Sequence, residues 1–167
     1  MTKSELSTQT VQDLLAAVAA GQPAPAAGSA AAVTAALAAA LAAKGARLSG
    51  RYLDDADRLV VRADELRTRA LRLAEADADA IAAMGAAVRP ASEDAPHDST
   101  ARDTVDDAIA VPREIGVLAA EVGELAVRLG EQGNPRLQAD AAAAGHLADA
   151  AARTAAAIVR SNEGLRD

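Results

Sequence analysis

Apolar residues recur at intervals of three and four positions along most of the chain, the spacing that places them on one face of an α-helix. Glycine, proline and short polar stretches divide this pattern into five segments. Aromatic residues, which favour strands, are nearly missing, so the pattern indicates an all-α fold. The predicted helices span about residues 8–20, 29–48, 54–88, 99–129 and 134–162, with Ser7 or Thr8 capping the first helix and Ser29 the second.

Prolines define two of the helix boundaries. Pro23 and Pro25 lack a backbone donor and disfavour the helical conformation of the residue before them, so they separate the first two helices. Asn134, followed by a proline, has the order expected at the start of a helix. Pro112 falls inside the fourth helix and is expected to kink it. There is no repeat or long linker, and residues 1–167 are predicted to form one domain, a single bundle.

Four polar residues interrupt the apolar faces of the last three helices. An ionised carboxylate that faces a core is costly unless it is paired, and functional sites often hold such groups. These positions are therefore the first candidates for chemistry. They are Asp77, Arg102, Asp140 and Asn162.

Each candidate also has a structural interpretation. An aspartate in an apolar stripe can be the partner of an arginine or lie at the stripe's edge, and Asp140 can stabilise the positive end of its helix. Asn134 can serve only as a cap. The start of a helix at Gly28-Ser29 can likewise be only a cap, although its free N–H groups also suit an anion. His97 falls in a polar loop and is expected to be solvated.

Composition narrows the function classes. Alanine supplies 49 of the 167 residues, and Tyr52 is the only aromatic residue. The net charge of −7 argues against a nucleic-acid partner, and no block of lysine or arginine indicates a membrane surface. Without cysteine or a paired histidine motif, no metal site is predicted. The uncharged residues 14–43 are broken by prolines, and the N-terminus lacks a signal-peptide pattern, so a soluble cytoplasmic protein is expected.

The order of several short motifs resembles the cyclodeaminase/cyclohydrolase family, which includes the cyclodeaminase half of formiminotransferase-cyclodeaminase and methenyltetrahydrofolate cyclohydrolases. The resemblance covers nearly the whole chain. In the first half of the chain, PAPAAGSAAA at residues 23–32 is similar to the family's PTPGGGSAAA, LSGRY at 48–52 to LTxGKKKY, and LAEADADAI at 73–81 to LxDEDAxAF. In the second half, AVPREI at 110–115 is similar to EVPLEIA, GNP at 133–135 with Asp140 to GNPNxxSD, and VRSN at 159–162 to NVxxN. Arg102 matches the family's arginine before the fourth helix.

This resemblance implies an all-helical homodimer that acts on the one-carbon unit of a tetrahydrofolate derivative, with no bound cofactor. Family members release ammonia from 5-formiminotetrahydrofolate or hydrolyse 5,10-methenyltetrahydrofolate. Both reactions need proton transfer, which suits a carboxylate whose pKa is tuned by burial. The resemblance assigns the acid/base role to Asp77 first. Asp140 is second, either as the partner carboxylate or as a residue that orients the pterin. Substrate-binding roles fall to Pro25, Gly28, Ser29, Arg51, Tyr52, Arg102, Asn134 and Asn162, of which Arg51, Arg102 and the N–H groups near Ser29 would meet anionic parts such as a glutamate tail.

The chain also departs from the family pattern. Ala26 and Ala27 replace two glycines, and alanine at a position that needs a positive φ costs on the order of 1 kcal/mol. Ile158 replaces the first asparagine of the last motif. Two alternatives therefore stay open: the same fold acting on a different small C–N substrate, and a helical dimer without catalytic activity.

Overall fold

The structure is a computed structural model that describes the backbone of residues 6–87 and 99–164 and the side chains of residues 6–85 and 104–164. In these residues it contains five α-helices and no strand, which confirms the all-α prediction. The helices are α1 (Val11–Ala19), α2 (Ala27–Arg47), α3 (Ala56–Ala87), α4 (Ser99–Gln132) and α5 (Gln138–Glu163), with single turns of 3-10 helix at Leu6–Thr8 and Pro135–Leu137.

The observed helix starts correct two details of the prediction. The first helix begins at Val11, capped by the side chain of Thr10, because the residues before it form the 3-10 turn. Ser29 does not cap α2: the helix begins at Ala27, and Ser29 lies in its first turn. Asn134 does act as a cap, although for the 3-10 turn that precedes α5, where its side chain accepts a hydrogen bond from the N–H of Arg136 at 3.0 Å.

Helices α2 to α5 pack around one core, with α3 antiparallel to α4. Three ion pairs join α4 to α3 and to Asp55, the residue just before α3, at intervals of seven residues on each side, which is two helical turns and therefore one face. All three pairs are partly exposed, so each adds little to stability. Together they show which residues of the two helices lie opposite each other. They are Arg128–Asp55, Arg62–Glu121 and Arg69–Glu114.

Small residues let the helices approach closely. Alanines of α2 fill the centre of the bundle, and several of them have no exposed surface. Between α4 and α5 the contact is made by glycines on one helix and alanines on the other. A β-carbon added to any of these glycines would meet the facing alanine within 3.6–3.9 Å, in the pairs Gly116–Ala155, Gly123–Ala148 and Gly130–Ala141.

One apolar face of α2 remains uncovered in the single chain. Leu37 is 56% exposed, and Val33 and Leu41, one helical turn to either side of it, are only partly buried. By length and composition, α2 is the one described helix that could cross a membrane, but 56% of its most apolar window is buried within the bundle. This burial is typical of the core helix of a bundle.

Helix α4 continues through the buried Pro112, and the kink expected there stays a prediction.

Candidate functional site

Asp77 is the one buried carboxylate among the side chains that the structure describes. It lies on α3 with only 2% of its surface exposed, as the apolar stripe predicted. Its Oδ2 accepts a hydrogen bond from the Ser29 hydroxyl at 2.8 Å, and the Ser29 backbone N–H also bonds the carboxylate. The side chain of Asp77 therefore takes the place of a cap at the start of α2, where the helix dipole favours negative charge.

Gly28 makes this approach of the two helices possible. A β-carbon at Gly28 would fall 1.9 Å from Oδ1 of Asp77 and 2.5 Å from its carboxyl carbon. These distances are far below van der Waals contact, so any side chain at this position would have to displace Asp77. The glycine is needed here for the close approach rather than for an unusual φ, since no described glycine has a positive φ.

Burial raises the pKa of Asp77 above its ordinary value of 3.8. Loss of hydration, which disfavours the charged form, is the largest cause, and the two hydrogen bonds from Ser29 oppose it by stabilising that form. A carboxyl group shifted in this direction exchanges protons closer to neutral pH than an exposed aspartate does. This property suits a general acid or base.

The expected role of the N–H groups near Ser29 in meeting an anionic ligand stays a prediction. In this structure the N–H of Ser29 interacts with the protein's own anion, Asp77. The alanines at the two lost glycine positions carry no strain, because no described residue other than glycine has a positive φ. Pro25, another predicted binding residue, precedes this turn; it follows a cis peptide bond and is partly buried.

Asn162 forms a structural hydrogen bond that the sequence did not predict. Its Nδ2 donates a hydrogen bond of 2.7 Å to the carbonyl oxygen of Ala108 in α4. In a regular α-helix this carbonyl accepts from the N–H four residues later, which is position 112. Pro112 has no N–H. The buried amide of Asn162 therefore replaces the bond that Pro112 cannot make, which leaves that N–H unavailable to a ligand.

Asp140 lies away from Asp77. It is in the first turn of α5, its side chain is 29% exposed, and its Oδ2 is 2.8 Å from Nζ of Lys44. The partners of the two aspartates, Ser29 and Lys44, are fifteen residues apart on the same helix, or about 22 Å at 1.5 Å per residue. Within one chain, therefore, the two carboxylates do not share a site, and Asp140 is an ion-paired residue near the surface rather than a core position.

Arg51, Tyr52 and Asn134 do come together. They line a cleft of about 520 Å³ between the turn after α2 and the turn before α5. Arg47 and Arg136 line the same cleft, and neither was among the residues that the sequence predicted for a site. Arg47 lies four residues before Arg51, at the end of the predicted second helix, and this proximity is the signal that was available. Arg136 belongs to the opposite turn, and only the fold brings it to the cleft.

Two positions lie outside this description. The side chain of Arg102 and the whole of His97 are not among the described residues, so their expected roles stay predictions. Among the side chains that are described, no group of three histidine, aspartate or glutamate residues is placed to hold a metal ion.

The fold and the buried site define a class of protein: an alanine-rich helical bundle in which an aspartate bonds the start of a central helix. The family model described as formiminotransferase-cyclodeaminase matches residues 10–166 of this chain. The chain belongs to that family, as the order of its motifs predicted.

Structural comparison gives the same fold. The crystal structure of formiminotetrahydrofolate cyclodeaminase from Thermotoga maritima is similar, with a TM-score of 0.87. The two chains are 23% identical, and the alignment covers 96% of this chain and 81% of that one. Comparison with curated proteins gave no match.

Proposed function

We propose that this protein is an enzyme that acts on a tetrahydrofolate one-carbon derivative and that Asp77 is its acid/base. The reaction is either release of ammonia from 5-formiminotetrahydrofolate to give the 5,10-methenyl form or hydrolysis of the methenyl form. Membership of the family over residues 10–166 supports the class of substrate. The observation that carries the proposal is the burial of Asp77, together with its raised pKa.

Cyclodeamination requires two proton movements. As the ring nitrogen N10 attacks the formimino carbon it loses its proton, and the departing nitrogen must gain a proton to leave as ammonia. One carboxyl group can take the first proton and deliver it to the leaving nitrogen, provided that its pKa is near the working pH. Burial shifts the pKa of Asp77 upward, toward that condition, and the Ser29 hydroxyl holds its Oδ2 in place.

Asp140 is not assigned a catalytic role in this proposal. Its side chain is partly exposed and paired with Lys44, and Lys44 lies about 22 Å along α2 from Ser29, the partner of Asp77. The sequence could not make this distinction, because a helical stripe gives the face of a residue but not its distance from another helix.

The proposal includes a homodimer in the cytoplasm. The exposed apolar face of α2 supports the dimer, since Leu37 at its centre is 56% exposed between the partly buried Val33 and Leu41. A second copy that packs against this face would remove the exposed apolar surface from water.

The test is turnover by the purified wild-type protein with each of the two folate substrates, followed through the methenyl chromophore. We expect one of the two to be converted. A folded, helical protein that converts neither substrate and does not bind reduced folates would contradict the proposal. In that case a rise in melting temperature with other heterocycles would favour the different C–N substrate, and its absence would favour the dimer without catalytic activity.

A further inference from the structure

The cleft between the α2–α3 turn and the α4–α5 turn is lined by basic residues in an acidic protein. Three arginines contribute to its wall, and none of its lining residues is acidic. The chain as a whole has 24 acidic and 17 basic residues. A cleft with this lining attracts anions and excludes cations. The lining comprises Arg47, Leu48, Gly50, Arg51, Tyr52, Asn134 and Arg136.

Two of the three arginines have unused donors. Arg47 is paired with Asp64. Arg51 and Arg136 form no side-chain ion pair or hydrogen bond with any residue whose side chain the structure describes, whereas several arginines of α3 and α4 are paired with carboxylates of other helices. Guanidinium groups match carboxylates through two parallel hydrogen bonds, so unpaired ones in a cleft are suited to a carboxylate ligand.

The two walls of the cleft are joined by hydrogen bonds. The buried Ser49 hydroxyl accepts from the backbone N–H of Asn134 at 2.9 Å and donates to the Gly45 carbonyl at 2.7 Å. The Asn134 amide donates to the Leu48 carbonyl at 3.1 Å. Gly133 allows this contact, because a β-carbon there would fall 2.9 Å from Oγ of Ser49 and 2.4 Å from the Leu129 carbonyl oxygen. The backbone that carries the arginines is therefore fixed before any ligand arrives.

The volume admits a ligand larger than a single small ion. A cleft of about 520 Å³ is within the range of small-molecule sites, roughly 300–1,000 Å³, and exceeds what one small ion needs. Tyr52, which is 52% exposed, offers a flat surface for the apolar part of a ligand. Arg51 and Arg136 come from opposite walls, so together they suit two separate carboxylates.

We propose that this cleft is a second binding site, distinct from Asp77, that takes a ligand bearing two or more carboxylates held by Arg51 and Arg136. Along α2 the cleft begins at Arg47, eighteen residues or about 27 Å from Ser29. The carboxylates have two possible sources, a free polycarboxylate or the glutamate portion of the folate substrate; the second source rests on the function proposed above.

Tyr52 provides a direct measurement, because it is the only aromatic residue of the chain and it lies in the cleft. Its fluorescence would be titrated with citrate and with a linear tri-glutamate, at constant ionic strength, with inorganic phosphate and chloride as comparison anions. We expect saturable binding of a polycarboxylate. Arg51→Gln and Arg136→Gln should each weaken it by roughly tenfold or more.

Arg160→Gln is the matched control, since it removes the same charge from an exposed arginine of α5 outside the cleft. It should leave the affinity unchanged. The inference is wrong if neither polycarboxylate changes the Tyr52 signal at millimolar concentration, or if all three variants bind as the wild type does. Equal weakening by Arg160→Gln would show only a general charge effect and would also overturn it.

Turnover assays separate the two sources and the two proposals. If folate substrates with three glutamates show a lower KM than those with one, and Arg51→Gln removes the difference, the glutamate portion is the ligand. If citrate binds and the KM values are equal, the ligand is a free polycarboxylate. If the protein turns over a folate substrate but binds no polycarboxylate, only this inference is contradicted. If it binds a polycarboxylate but turns over neither folate substrate, only the proposed function is contradicted.

Discussion

Gly28 and Asp77 are in such close contact that the β-carbon of any other residue at position 28 would lie 1.9 Å from Oδ1 of Asp77. This contact joins the first turn of α2 to the apolar stripe of α3. It means that the carboxylate of Asp77 and the start of α2 are positioned together. A change to either one moves the other.

We therefore expect Gly28→Ala to impair the site although alanine is the better helix former. The added methyl group must displace the Asp77 carboxylate, so melting temperature and turnover should both fall. Overpacking of this kind costs typically about 1–3 kcal/mol. Differential scanning calorimetry and the turnover assay check the prediction.

Gly85→Ala is the control, since nothing described lies within 4 Å of a β-carbon at that helical position. It should be neutral or stabilising by up to about 1 kcal/mol. If the two variants had the same stability and activity, the close contact at Gly28 would not be important.

A second prediction concerns Asn162 and Pro112. Asn162→Ala removes the donor that reaches the Ala108 carbonyl, and an unsatisfied buried carbonyl costs about 1–3 kcal/mol. In a Pro112→Ala background the N–H of residue 112 can bond that carbonyl instead. The loss caused by Asn162→Ala should then be smaller.

Denaturant unfolding of the wild type, both single variants and the double variant measures this coupling. We expect the free energy of unfolding to depend less on Asn162 when position 112 carries an N–H. Equal losses in the two backgrounds would show that Asn162 does not substitute for the missing bond.

Asp77 should also make stability depend on pH. Because its pKa is raised in the folded state, its contribution favours folding below the ordinary value of 3.8 and is lost as the pH rises through the raised folded value. Asp77→Asn keeps a hydrogen-bond acceptor for Ser29 and has no charge to bury. The stability of this variant relative to the wild type should therefore increase with pH over that window.

The measurement is the difference in free energy of unfolding between the two proteins at several pH values from about 3 upward, a window set by the ordinary carboxyl pKa. Taking the difference removes the contributions of the shared surface ion pairs. A difference that is constant with pH would mean that Asp77 does not titrate with a raised pKa.

The proposed dimer gives a fourth prediction. Leu37→Glu places a charge at the centre of the uncovered face of α2 and should convert a dimer into monomers in sedimentation at micromolar concentration. Val127→Glu alters an α4 residue of similar exposure, 60% against 56%, and should leave the dimer intact. A wild-type monomer, or a dimer that is unaffected by Leu37→Glu, would exclude this interface.

The sequence predicted the helices well because proline, glycine and asparagine mark their ends, and it identified Asp77 because the residues around it in α3 are apolar. The sequence predicted the buried face of α5 only in part. Hydrophobic spacing selects Ala144, Ala151 and Asn162, which are buried. It also selects Asp140, Leu147 and Thr154, which are only partly buried, whereas the alanines one residue later, Ala141, Ala148 and Ala155, are buried. Close packing against the glycines of α4 selects small side chains there rather than the most apolar ones.

Relationships between distant elements could not be predicted. The sequence does not show that the Ser29 N–H is used by Asp77, that Asn162 reaches a carbonyl near Pro112, or that Arg136 joins Arg51 across a cleft. Each of these depends on how two helices or turns meet. Family motifs identified several of the residues but not the partner of each one.

The central claim is that Asp77 transfers protons in turnover of a folate one-carbon derivative. The most direct measurement is kcat for the wild type, Asp77→Asn and the control Asp149→Asn, an exposed surface aspartate paired with Arg153. We expect Asp77→Asn to lower kcat by roughly 10²- to 10⁴-fold, the range for loss of a general acid or base, in protein that remains folded. A folded Asp77→Asn variant with the kcat of the wild type would contradict the claim.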